Sequence, residues 1–162
     1  MIHRKDGERS HRASRGQALA EFALVLPIVL GLVGAGIDFS RGFESSMTLQ
    51  TAARNAAEAA AYEATTPAEA QATARAVVCT EAQRLPGFVP GPGGEIATCT
   101  NPSVTVTYAR SATAPGANTR YPLVTVTVTT SLDFALTVPW PLLPDGTWSL
   151  GATQSFELMQ GR

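Results

Sequence analysis

Charge is scarce in this sequence. Asp, Glu, Lys and Arg make up 15% of its 162 residues, where soluble domains carry about 25%. The formal net charge is −1. There is no polybasic footprint, which argues against nucleic acid as a partner, and the composition does not match a disordered charged tail. Cysteine is limited to two residues, Cys79 and Cys99, too few for a disulfide-dense miniprotein or a four-cysteine zinc site. Histidine is limited to His3 and His11. Beyond residue 16 the chain therefore has no group for Ser-His-Asp or Cys-His catalysis, and none for a histidine metal site. Phosphate-binding loops are lacking too: Gly91-Pro92-Gly93-Gly94 contains a proline and precedes no helix. Glu44, Glu58, Glu63, Glu69, Glu81 and Glu95 do not converge by spacing and read as solvated side chains. We expect no enzymatic activity, no cofactor and no metal.

What the sequence does have is one long apolar run. Residues 1–16 hold five basic side chains (Arg4, Lys5, Arg9, Arg12, Arg15) against Asp6 and Glu8. Phe22 to Ile37 then carries no charge. With Ala18–Glu21 before it and Asp38–Phe39 after it, the run reaches the roughly 20 residues that cross a hydrocarbon core of about 30 Å. The basic flank lies on one side only, so the positive-inside rule places residues 1–16 in the cytoplasm and the remainder outside. Glu21 and Asp38 mark the two ends. Asp38 is expected to reach water or lipid headgroups. Glu21 reads either as a wet interfacial charge or as a charge kept for a cation on a neighbouring chain. Pro27 removes one helical donor, which is tolerable in a membrane. Gly31 and Ala35 form a small-xxx-small pair.

Residues 40–64 contain no proline, one glycine (Gly42) and abundant alanine, so the helix is expected to continue to about residue 64 without a clear amphipathic stripe. Thr66, Pro67 and Glu69 form the signature of a capping box, predicting a second helix from Pro67 to about Arg84. Residues 86–102 are rich in proline and glycine and read as a loop. Cys79 and Cys99 lie at the end of that helix and of that loop. In an oxidising compartment a disulfide between them is expected, contributing roughly 3 kcal/mol on the chain-entropy model. A metal or redox pair is the rival reading. From Ser103 the apolar period becomes two: Val104, Val106, Tyr108; Val124, Val126, Val128; Leu132, Phe134, Leu136, Val138; and Trp148, Leu150, Ala152, Phe156, Leu158. Pro144-Asp145-Gly146 predicts an antiparallel return. Asp133 and Glu157 are expected out of register, since like charges face to face are costly. The fold class is α+β: a long N-terminal helix, a second helix, and a three- to four-stranded antiparallel sheet with one apolar face under the helices.

The run Arg15-Gly16-Gln17-Ala18-Leu19-Ala20-Glu21-Phe22-Ala23-Leu24-Val25-Leu26-Pro27 resembles a class III signal peptide, and as a whole is similar to TadE-like pseudopilins of the Tad (tight adherence) pilus system. Asp38-Phe39-Ser40-Arg41 and Leu49-Gln50-Thr51-Ala52-Ala53-Arg54 are also similar to that family. The resemblance implies cleavage between Gly16 and Gln17 by a prepilin peptidase, which makes Glu21 the fifth residue of the mature chain. Glu21-Phe22 resembles the Glu-Tyr pair of Flp-type pilins and implies a role in assembly. Gln17 departs from the hydrophobic first residue of the type IV pattern. The implied organisation is a cytoplasmic leader over 1–16, a transmembrane and assembly helix over 17–39, and an external domain over 40–162. The implied partners are other Tad pilins and pseudopilins, the prepilin peptidase, an inner-membrane assembly platform driven by an ATPase, and membrane lipid. The implied role is a minor pilin that primes, caps or joins the pilus. Two other readings stay open: a membrane-anchored external binding module unrelated to pili, and a secreted soluble protein cut after Ala35.

Overall fold

The computed structural model describes the backbone of residues 8–114, 116–117, 119–137 and 146–160, with side chains from residue 17 onward. Two α-helices are followed by three strands in an α+β arrangement, as the sequence predicts.

Helix α1 runs from Glu8 to Glu63, about 84 Å at 1.5 Å per residue. It begins within the basic leader rather than near residue 18. Residues 8–16 contain no proline and only a terminal glycine, so nothing in that stretch halts a helical backbone. The helix also continues through Pro27. Its outer half does have a stripe. Leu49, Ala53, Ala56, Ala60 and Ala64 recur every three or four residues and are fully buried, with Ala52, Ala57 and Ala61 beside them. The stripe is defined by small size more than by hydropathy, which is why the apolar pattern of the sequence hides it.

Helix α2 (Pro67–Ala82) opens as its capping signature predicts, with Pro67 in its first turn and the Thr66 side chain accepting from the Glu69 N–H. The reciprocal arm is shifted by one residue. Glu69 Oε2 accepts from the backbone N–H and the hydroxyl of Thr65, each at 2.8 Å. The Thr65 N–H, followed by the Thr65 hydroxyl, holds the Glu69 carboxyl below the usual carboxylate range. Ala70, Ala74, Val78, Cys79 and Ala82 are the buried residues of α2, and Ala70, Ala74 and Val78 meet the alanine stripe of α1 in one core.

Strands β1 (Ser103–Ser111), β2 (Leu123–Ala135) and β3 (Thr147–Met159) form an antiparallel sheet in the order β1-β2-β3. The even-numbered side chains of β2 face the helices, and Val124, Val126, Val128, Thr130, Leu132 and Phe134 are buried. On the outward face hydroxyls pair across β2 and β3, Thr129 with Thr153 and Ser131 with Ser149, both at 3.1 Å. Asp133 opposes Ser149 and Glu157 opposes Thr125, so the two carboxylates are out of register as expected. Val138, Pro139-Trp140-Pro141 and the first two residues of the Pro144-Asp145-Gly146 turn lie outside the described residues.

Candidate assembly and anchoring site

From Gln17 to Ile37, α1 has almost no contact with the rest of the chain. Leu19, Phe22, Leu24, Ile28, Leu30 and Leu32 are each 60–74% exposed. This stretch is long and apolar enough to cross a membrane. Exposure on this scale in water carries a large hydrophobic penalty, roughly 25 cal/mol per Å² of apolar surface. Lipid or the apolar surface of other chains would remove that penalty. A Cβ added at Gly31 or Gly36 would meet nothing within 4 Å, so the fold of this chain does not need glycine there.

The sequence-derived residues cluster at the start of this stretch. Gly16 lies where only the helical backbone is described. Gln17 Nε2 donates to Glu21 Oε1 at 3.1 Å, one helical turn away, and Phe22 projects outward, 61% exposed. The helix thus brings residue 17 and Glu21 to the same face, within reach of one another.

The other end of the apolar stretch differs from expectation. Asp38 does not reach water or headgroups; it is 2% exposed. Its two carboxylate oxygens accept the backbone N–H of Thr137 at 2.9 and 3.1 Å. Arg41 lies one turn on, with Nη1 at 3.5 Å from Asp38 Oδ1, and also donates to the Thr137 hydroxyl. Strand β2 ends at Ala135, so the Thr137 N–H lies just beyond the strand and finds its acceptor on a helix 99 residues away in sequence. No local pattern announces such a contact. The only signal in the sequence was an acid at the end of an apolar helix with an arginine three residues on. Next to it, Gly42 admits the Trp148 ring: a methyl group there would sit 2.6 Å from Cζ3. The apolar stretch thus passes into the folded domain at residue 38 with no linker between them.

Cys79 and Cys99 are joined by a disulfide, with a Cα–Cα distance of 5.6 Å that is within the usual range. The bond fastens the loop after α2 to the helix. Arg75 Nη2 supports it by donating to the Cys99 carbonyl at 2.8 Å. Asn101 fastens the same loop to β2, donating to the carbonyls of Gly87 and Asp133 and accepting the Asp133 N–H. At Gly87, φ is +88° and an added Cβ would lie 2.3 Å from the Asp133 carbonyl oxygen, so only glycine fits. Thiol labelling of the native exported protein without reductant is expected to modify neither cysteine, and to modify both after reduction and unfolding. Labelling of both in the native protein would show the bond absent in solution.

Among the described residues no group of three or more His, Cys, Asp and Glu side chains could hold a metal. No curated protein and no solved structure matches the chain. Residues 16–65 match the model of one family, described as TadE-like protein. The match begins at Gly16 and ends two residues past α1. Over residues 16–65 the chain is similar to TadE-like proteins, in agreement with the resemblance carried by the Arg15–Pro27 run.

Proposed function

We propose that the protein is a minor pilin, or pseudopilin, of a Tad-type type IV pilus, with a structural and not a catalytic role. The observation that carries this reading is the exposed apolar helix joined rigidly at Asp38 to a folded domain. The membrane would first hold the subunit by this helix, leader inside and domain outside. Cleavage after Gly16 would then free an ammonium on Gln17 beside Glu21. The apolar helices would leave lipid together and pack in a shared core, with the domains displayed around it. The family match supports other pilus components as partners. The size of the external domain supports a priming or capping position over bulk subunit, because a domain of about 100 residues would crowd a fibre made of this chain alone.

Intact mass of the mature protein tests the reading. A chain starting at Gln17 is expected, and Gly16→Leu should leave the leader attached, because the peptidase's site accepts no bulky side chain at the scissile bond. A wild-type chain starting at Gly36 would make this a secreted protein, and an uncut chain a simple membrane-anchored module.

A further inference from the structure

Just past Asp38, where α1 enters the domain, a cleft of about 300 Å³ opens between α1 and the chain that leaves α2. Arg41, Glu44 and Ser45 line it from α1, and Arg84, Leu85 and Pro86 from the other side. The cleft holds more polar groups than the fold uses. Nη1 of Arg41 is taken by Asp38 and the Thr137 hydroxyl. Its Nε and Nη2 have no partner among the described residues. The side chains of Glu44 and Arg84, on different elements, form no ion pair with each other or with any described residue. Ser45 is 1% exposed, yet its hydroxyl has no hydrogen-bond partner. Buried hydroxyls are normally paired, so the floor of the cleft keeps a donor for which the described residues supply no acceptor.

Charge and depth narrow the ligand. The formal charges of Asp38, Arg41, Glu44 and Arg84 sum to zero, and an anion that met the two arginines would also meet the Glu44 carboxylate. A ligand that carries both signs finds an opposite charge for each. Along the helix, at about 1.5 Å per residue, Arg41 lies about 6 Å and Glu44 about 10 Å beyond Ile37, the end of the apolar run. The headgroup layer on each side of a bilayer is about 5–8 Å thick. With the apolar run in the membrane, Arg41 falls within that layer and Glu44 at its outer margin. A phospholipid presents acyl chains, then phosphate, then the headgroup substituent, and the helix presents the apolar run, then Arg41, then Glu44 in the same order.

We propose that this cleft binds the headgroup of one phospholipid bearing a primary amine, phosphatidylethanolamine, from the leaflet on the domain's side. Its phosphate lies between Arg41 and Arg84, and its ammonium meets Glu44. The proposal rests on the membrane-anchored reading of the apolar stretch. Guanidinium N–H groups match phosphate oxygens in geometry and charge, and those oxygens supply the acceptor that Ser45 lacks. The ammonium donates to the Glu44 carboxylate. A choline headgroup has no N–H to donate, and a glycerol headgroup has no positive charge, so the carboxylate selects the amine. The bound lipid ties the base of the domain to the membrane surface.

Native mass spectrometry tests this on the mature full-length protein, released from nanodiscs of equimolar phosphatidylethanolamine, phosphatidylcholine and phosphatidylglycerol with matched acyl chains. Wild type should retain the ethanolamine lipid over each of the others by about tenfold. Glu44→Gln should still retain lipid but lose the preference for ethanolamine over choline. Arg84→Gln should lose retention of all three by about tenfold. Neither side chain has a partner in the fold, so neither variant should change the thermal melting of the domain. Equal retention of the three lipids by wild type, or a preference that survives Glu44→Gln, would overturn the assignment. Displacement of the lipid by soluble phosphoethanolamine at equal concentration would make the cleft a site for a free ligand and overturn the lipid as its source. If Arg84→Gln lost sister pilins but kept its lipid, the cleft would be a protein contact and the proposal wrong. A chain starting at Gln17 that shows no lipid preference would sink the cleft alone, whereas one starting at Gly36 would have no anchor and would sink both readings.

Discussion

Glu21→Gln is expected to leave membrane insertion and cleavage unchanged while abolishing co-assembly with the other pilins. The substitution keeps the size of the side chain and an oxygen that can still accept from Gln17, as Glu21 Oε1 does at 3.1 Å. It removes only the charge. In the membrane-bound subunit Glu21 lies one residue before the apolar run, where a carboxylate stays hydrated at little cost. In a packed helical core it would lose that hydration, a penalty of several kcal/mol unless a cation meets it. In the proposed assembly the ammonium freed on Gln17 of an adjacent subunit would be that cation. Glutamine has no use for it, and the ammonium would then be buried without a counter-charge. Recovery of partner pilins with the variant, compared with wild type at matched membrane levels, measures the effect. A loss of tenfold or more corresponds to about 1.4 kcal/mol and is the least expected. Equal recovery would reduce Glu21 to an interfacial charge.

Asp38→Ala should destabilise the external domain as a whole. It removes both oxygens that hold the Thr137 N–H and leaves Arg41 without its partner carboxylate. Hydrogen bonds to a charged group contribute about 1.5–3 kcal/mol. For a domain of this size that is a fall in Tm of the order of 10 °C. Asp38→Asn retains an acceptor for Thr137 and loses only the charge, so it should fall between wild type and alanine. Thermal unfolding of the full-length chain in detergent distinguishes them. An alanine variant that melts with wild type would mean that the contact contributes nothing to holding helix and sheet together.

The elements most legible in the sequence are those with local causes. The apolar run, the Thr66-Pro67-Glu69 cap and the alternation of β2 each follow from neighbouring residues, and the structure contains all three. The motif around Gly16 was legible as a resemblance, and the family match covers it. What escaped the sequence was made by residues far apart in it. The Asp38 contact to Thr137, the hydrogen bonds of Gln71 to Val104 and Val106 of β1, and the Asn101 tie between loop and β2 each join polar side chains to backbone groups left over at the end or edge of a strand or turn. Such leftovers are not visible until the chain is folded. The alanine stripe of α1 escaped for another reason: alanine is a strong helix former but a weak marker of burial, so small size left no contrast to read.

The continuity of α1 past Asp38 fixes a direction as well as a position. With no joint along α1, the heading of the sheet about the helix axis, measured from the apolar stretch, is set by how many helical residues separate the two. Each added residue turns the domain by about 100°. A chain lengthened by one residue within the apolar stretch would present the same sheet, equally stable, on the wrong side. Seven added residues would restore its heading to within about 20°. In the pilin reading we propose, the apolar stretch would act as an angular gauge, metering which neighbour each face of the domain could meet.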